Sequence, residues 1–231
     1  MRDSNVTKGT EKSERGKFVR LIVAPVSVLL ILLVVAWFAR PVVNEILHSA
    51  HVSELDLTLL HWFRSHATSA FDSVFVFIAL IGSPGALVVV AIVGAIVLAR
   101  SRRWSLLISW IEAFAGSSIL AVGIKHIYVR PRPAGAAEFL HDMSFSFPST
   151  HAVSSLIAFG MTAYLLNMLR PNSGGAKFFA GIVAPLFIFA IGLSRLYLGV
   201  HYLSDVLAGF VIGGVWLCVC IVALRSQTTQ S

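Results

Sequence analysis

The sequence predicts an all-α integral membrane protein, a bundle of six transmembrane helices with amphipathic surface helices between the first and second. Three observations lead there. Hydrophobic residues make up 57% of the chain and charged residues 13%, with a mean hydropathy of +0.83; a soluble domain carries roughly 25% charged residues. The apolar residues collect in runs near the ~20 residues that cross a bilayer. The 231 residues leave room for about six such runs and for no separate soluble domain.

Taken in order, residues 1–20 are polar and basic, with Arg2, Lys8, Lys12, Arg15, Lys17 and Arg20 among Ser, Thr, Gly and Glu, and are expected to form a flexible tail. The apolar run 21–39 is long for a signal-peptide core, and cleavage after Ala39 would place bulky Trp37 at the minus-three position, so a retained first span is expected. Residues 40–70 mix charges and histidines with Leu55, Leu59, Leu60, Trp62 and Phe63, the composition of one or two helices lying in the membrane interface. The stretch 71–99 is too long for one straight span. Gly82-Ser83-Pro84-Gly85 divides it into a short lead-in helix and a spanning helix ending at Arg100. Further spans are expected at 104–124, 151–169, 178–196 and 206–224, each bounded by charge or by Gly and Pro. Residues 21–225 thus form one transmembrane domain, followed by a short tail, 226–231.

Lys and Arg near span ends favour the cytoplasmic side. The basic tail, Arg100, Arg102 and Arg103, the loop with Arg170 and Lys177, and Arg225 all fall on one side, so both termini are expected in the cytoplasm. The opposite face then holds residues 40–70, the loop 125–151 and the turn 195–205. Its cations Lys125, Arg130, Arg132 and Arg195 run against the positive-inside tendency, which suggests placement for binding rather than for topology.

Three polar clusters occupy that face: Lys125 with Arg132-Pro133; Pro148-Ser149-Thr150-His151; and Ser194-Arg195 with His201 and Asp205. A membrane protein has little reason to bring cations, histidines and a carboxylate together near a bilayer unless they converge on an anion. Lys125, Arg132 and Arg195 can neutralise charge on a phosphate, the arginines with forked hydrogen bonds and the lysine as a point charge, so no metal is needed. His201 and Asp205, four apart, would share a helix face, letting Asp205 fix the imidazole tautomer. Ser149, Thr150 and the amides at the start of the following helix can donate to the same phosphate. Arg130, His126 and His141 read as ordinary interfacial residues and Ser194 as structural. Glu112 is expected to hydrogen-bond within the bundle, and Cys218 and Cys220, on different helix faces, to be packing residues.

The whole pattern, Lys125-x6-Arg132-Pro133, Pro148-Ser149-Thr150-His151 and Ser194-Arg195-x5-His201-x3-Asp205, resembles the type 2 phosphatidic acid phosphatase superfamily. Its three signatures appear in order over residues 125–205. Thr150 stands where the family usually has glycine; it fits if the loop enters a helix there and does not fit a positive φ. The resemblance implies a membrane lipid phosphatase in which His201 is the nucleophile of a phosphohistidine intermediate, and His151 protonates the leaving oxygen and later activates water. It implies a lipid phosphate or diphosphate substrate, such as phosphatidylglycerophosphate, phosphatidic acid or undecaprenyl diphosphate. No cofactor is expected, and no partner beyond the lipid substrate and the bilayer. The expected location is a bacterial inner membrane with the site on the outer face.

A lipid or anion transporter would use the same cations, but it would not require His201 paired with Asp205 beside a second histidine, and the sequence carries no internal repeat of the transporter kind. The Gly-rich stretches lack the spacing and strand context of nucleotide-binding loops. The basic residues are juxtamembrane, so no nucleic-acid partner is expected.

Overall fold

In lipid a backbone must satisfy its own polar groups, so the apolar runs of this chain fold as helices. The computed structural model describes residues 3–134, 136 and 145–228, with side chains at 23, 25–134, 136 and 145–226. His141 and most side chains of the two expected tails lie outside the described residues. The helices are α1 (Asp3–Leu47), α2 (Ala50–Ser65), α3 (Ser69–Ile81), α4 (Pro84–Arg100), α5 (Trp104–Tyr128), α6 (Thr150–Leu169), α7 (Gly174–Phe178), α8 (Ala184–Tyr197) and α9 (Leu203–Thr228). No strand is present among the described residues. A single π turn, Phe179–Val183, joins α7 to α8. Six segments are long and apolar enough to cross a membrane: Pro25–Leu47, Ser69–Arg100, Trp104–Tyr128, Thr150–Leu169, Gly174–Tyr197 and Leu203–Ser226.

Local chemistry sets the breaks. Ser49, Thr68 and Ser83 each accept a hydrogen bond from the amide three residues on, and so cap α2, α3 and α4. Ser83 is followed by Pro84 in the first turn of α4, where the missing N–H costs nothing; this is the division expected within 71–99. The first span differs from expectation. It runs to Leu47 rather than ending near Ala39, because Val43 and Leu47 pack into the core and draw the helix on through Pro41. The surface segment therefore begins at Ala50.

Helices α5, α6 and α9 form the centre, with α1 against α5 and α9, α8 against α6, α4 against α5, and α3 against α8. Trp110, Leu120, Ile157, Met161, Trp216 and Leu224 fill the core. Buried Cys220 packs there as expected, whereas Cys218 is exposed on the outer surface. Close approach depends on small residues: a Cβ at Gly116 would collide with the Trp216 ring, whose Nε1 donates to the Ala113 carbonyl. The outer surface is apolar, with Phe38, Phe189, Val211 and Val222 among many exposed large side chains. That is the exterior a bilayer requires.

Helix α2 is arranged the other way round from a soluble amphipathic helix. Leu55, Leu57 and Trp62 are exposed, whereas Asp56 is buried against the protein. The helix packs on α8 and α9.

Gly209 sets the contact between α9 and the start of α6. A Cβ there would meet the Ser149 carbonyl oxygen and Ala152 Cβ, each at 2.8 Å, and neither can yield without moving a helix. Gly209→Val is expected to lower stability by about 1–3 kcal/mol through overpacking. Thermal unfolding in detergent measures it, and an unchanged midpoint would contradict the packing.

Candidate active site

The polar clusters meet at one end of the bundle because four helix termini meet there. Lys125 lies in the last turn of α5, and Val129 ends that helix with a left-handed φ of 49°. The following segment is tied to the approach to α6. Ser146 N donates to the Arg130 carbonyl at 2.8 Å, Ser146 Oγ donates to the Pro131 carbonyl at 3.0 Å, and Lys125 Nζ donates to the Phe145 carbonyl.

Ser149 is the N-cap residue of α6 and Thr150 its first residue. The positive-φ residues among those described are Arg102, Val129 and Gly199, so Thr150 enters a helix and its β-branch meets no backbone penalty. Ser149 N donates to the Asp205 carbonyl at 3.0 Å, fastening α6 to α9. Ser149 Oγ is buried and has no hydrogen-bond partner among the described residues.

At the end of α8, the Arg195 carbonyl accepts from both Val200 N and His201 N, at 3.2 and 3.3 Å. The chain turns back there through Gly199, at φ +65°, a conformation glycine takes without penalty. Arg64 Cδ of α2 lies 3.2 Å from where a Cβ of residue 199 would be, so α2 backs this loop. Ser194 Oγ bonds the Ile191 carbonyl of its own helix at 2.7 Å, a structural role as expected. Arg195 is buried, and its Nε has no partner among the described residues.

His201 precedes α9 rather than occupying its first turn, so its pairing with Asp205 is made by a loop and not by a helix face. Asp205 Oδ2 accepts from Tyr202 N at 2.9 Å and faces His201 Nδ1 at 3.5 Å, beyond a full hydrogen bond. The other ring nitrogen, Nε2, lies 3.2 Å from Arg132 Nη1, which also donates to the Val200 carbonyl at 2.9 Å. A guanidinium can only donate. Nε2 is therefore the acceptor, and the ring proton sits on Nδ1, toward Asp205. Burial pushes the His201 imidazole down from its ordinary value to about 4; Asp205 opposes that, and the Arg132 and Arg195 charges add to it. At neutral pH the ring is uncharged.

His151, in the first turn of α6, is within electrostatic reach of Arg195, His201, Arg132 and Lys125. The structure thus brings together Lys125, Arg132, Ser149, Thr150, His151, Arg195, His201 and Asp205. Among the described residues no three His, Cys, Asp or Glu side chains gather closely enough to hold a metal ion.

Two further expectations fail. Arg130 is not an interfacial anchor: it is buried, with Nη1 2.7 Å from Asp205 Oδ1 and Nη2 2.9 Å from Asp56 Oδ2. Burial alone would lower its pKa, but the two carboxylates outweigh burial and raise it. Its alternation with Arg132 in the sequence was the available signal. Glu112 makes no bond within the bundle; both its carboxylate oxygens are buried without a partner among the described residues.

Fold and site together define an integral membrane protein with a histidine- and arginine-rich cluster at one end of its bundle. The chain belongs to the PAP2 superfamily, whose family model matches residues 104–228. It is 33% identical over 124 residues to phosphatidylglycerophosphatase B of Bacillus subtilis, an alignment covering 54% of this chain and 60% of that protein. It is 35% identical over 131 residues to decaprenylphosphoryl-5-phosphoribose phosphatase of Mycobacterium tuberculosis, covering 54% and 64%. The chain therefore spans somewhat under two thirds of the length of these curated relatives. The fold matches the crystal structure of a transmembrane PAP2 type phosphatidylglycerolphosphate phosphatase from Bacillus subtilis with a TM-score of 0.70 and 26% identity, over 91% of this chain and 98% of that one.

Proposed function

We propose that this protein is a membrane lipid phosphatase that works through a phosphohistidine. The observation that carries the reading is the presentation of His201: its Nε2 lone pair faces the guanidinium of Arg132 at 3.2 Å while Nδ1 faces Asp205. In the first step Nε2 attacks phosphorus, and the bond from phosphorus to the leaving oxygen breaks as His151 protonates that oxygen. Asp205 stabilises the ring that has gained positive charge. In the second step water attacks phosphorus, His151 takes its proton, and the P–N bond breaks to release inorganic phosphate and neutral His201. Lys125, Arg132 and Arg195 offset the charge on the transferring group, with Ser149 Oγ and the Thr150 and His151 amides as further donors. The buried Ser149 Oγ and Arg195 Nε, otherwise unpartnered among the described residues, would bond phosphate oxygens.

A lipid substrate is supported by the relatives and by an apolar groove of about 360 Å³ between α1, α5 and α9. Leu32, Val35 and Ile212 line it, as does Phe147, two residues before Ser149. Phosphatidylglycerophosphate, phosphatidic acid and undecaprenyl diphosphate are the substrates to try. The proposed setting is a bacterial inner membrane, with both termini cytoplasmic and the site on the outer face.

Protein purified in detergent is expected to release phosphate from at least one of these lipids, and to do so undiminished in EDTA, since protein cations supply the charge that a metal would. Loss of activity in EDTA, restored by a divalent cation, would contradict the metal-free step. No release from any of them by a folded protein would move the assignment to lipid or anion transport.

The pH dependence has a definite sign. With folded His201 near 4 rather than about 6.5, the neutral nucleophile persists as pH falls from 7 to 5. Its acid limb in kcat/KM, corrected for the substrate's own ionisation, is expected near pH 4. Between those two values the folded protein binds fewer protons than the unfolded chain, so this group's stabilisation is complete above about 6.5 and is lost as pH falls through about 4.

A further inference from the structure

We propose that Asp56 of the surface helix α2 and Arg130 form a positioning pair that holds Asp205, and through it His201, in reactive alignment. The inference rests on the reading of His201 as nucleophile.

The connections are continuous. Arg130 Nη1 donates to Asp205 Oδ1 at 2.7 Å and to Ser204 Oγ at 2.7 Å. Its Nη2 donates to Asp56 Oδ2 at 2.9 Å. Asp56 also accepts from Ser204 N at 2.9 Å and Ser204 Oγ at 2.5 Å, so it grips the same turn from which Asp205 projects. The Arg130 guanidinium lies 4.4 Å over the Tyr202 ring, and Tyr202 N holds the remaining oxygen of Asp205. Each Asp205 oxygen thus has a fixed donor, which leaves the carboxylate one orientation toward His201.

Burial argues against an incidental ion pair. Asp56 is 2% exposed, Arg130 9% and Asp205 0%, and enclosing three charges is costly unless geometry and hydrogen bonds compensate. A helix needing only to lie on the membrane could use its exposed Leu55, Leu57 and Trp62 and would have no need of a buried carboxylate. A second function for the arginine is electrostatic. Asp205 would otherwise present its full charge to His201, which is also faced by Arg132, Arg195 and His151; Arg130, bonded to Asp205 Oδ1, offsets part of that charge and so works in the same direction as the burial that keeps the ring uncharged. By analogy with residues that orient metal ligands, whose loss costs about 10–100-fold, the pair is expected to act on rate through Asp205.

The test pairs kinetics with a titration that needs no turnover. Asp56→Asn is close to isosteric and keeps an oxygen for Ser204 N; it is expected to lower kcat by about 10-fold with KM nearly unchanged. Arg130→Gln is expected to lower kcat further and to move the His201 titration upward toward neutrality, read by NMR of histidine-labelled protein in detergent. Arg130→Lys, which keeps the charge and loses the fork, should restore the titration more than the rate. A purely structural pair would lower the unfolding midpoint of Asp56→Asn and leave kcat and the His201 titration as in the unmodified protein, which overturns the proposal. If Arg130→Gln does not fold, Asp56→Asn and Arg130→Lys decide. If the unmodified protein hydrolyses no lipid, the phosphatase reading fails, and the pair stands or falls on the titration alone.

Discussion

His201→Ala is expected to reduce lipid phosphate release by about 10⁴-fold or more, to the background of the assay, because it removes the group that forms the covalent intermediate. The change should spare binding. Arg132 is held by the Val200 carbonyl at 2.9 Å independently of the ring, Arg195 is anchored at the end of α8, and Lys125 belongs to α5. The three cations therefore keep their places, and a non-hydrolysable phosphonate lipid should bind within about an order of magnitude of its affinity for the unmodified protein, since the lost interaction belongs to the transition state. Equilibrium binding and phosphate release on the same preparation separate the two quantities. Residual turnover within about 10-fold of the original would remove His201 from the nucleophilic role. Equal loss of binding and turnover would instead indicate a collapsed site, and His201→Gln, which refills the buried volume, would then be the variant to measure.

The legibility of this molecule in its sequence follows the range of the interactions involved. The six spans could be read because each needs only its own residues to be apolar and long enough. Their ends were read less well: Val43 and Leu47 extend the first span because they pack into the core, which hydropathy does not encode. The gathering of Lys125, Arg132, Ser149, His151, Arg195, His201 and Asp205 at one end of the bundle could be read because they fall at fixed spacings next to span ends. The conformation joining His201 to Asp205 could not be read. Spacing by four suggested one helix face, whereas a loop turning at Gly199 makes the contact. Asp56 was hidden for two reasons. It is 74 residues from Arg130, and it sits in a segment whose mixed charges and leucines describe a surface helix equally well with that carboxylate outside. Only the packing of α2 on α8 and α9 turns it inward.

His151→Ala is expected to divide the reaction into its two halves. If His151 protonates the leaving oxygen, its loss should be severe, about 10²–10⁴-fold, for a lipid whose leaving group is a poorly acidic alcohol. It should be much smaller for the first step with p-nitrophenyl phosphate, whose leaving group needs no proton. Hydrolysis of the P–N bond still lacks its base in this variant, since water must give up a proton as it attacks phosphorus. The phosphohistidine on His201 should then accumulate: a burst of p-nitrophenolate matching the amount of protein, slow turnover afterwards, and an acid-labile, base-stable phosphate on the chain. Equal losses for both substrates with no burst would mean that His151 binds phosphate instead of moving protons. Its neighbours allow either role, for Lys125, Arg132 and Arg195 all lie within electrostatic reach. What favours proton transfer is that these three cations already provide for the anion, while an imidazole is a side chain that can both accept and donate a proton.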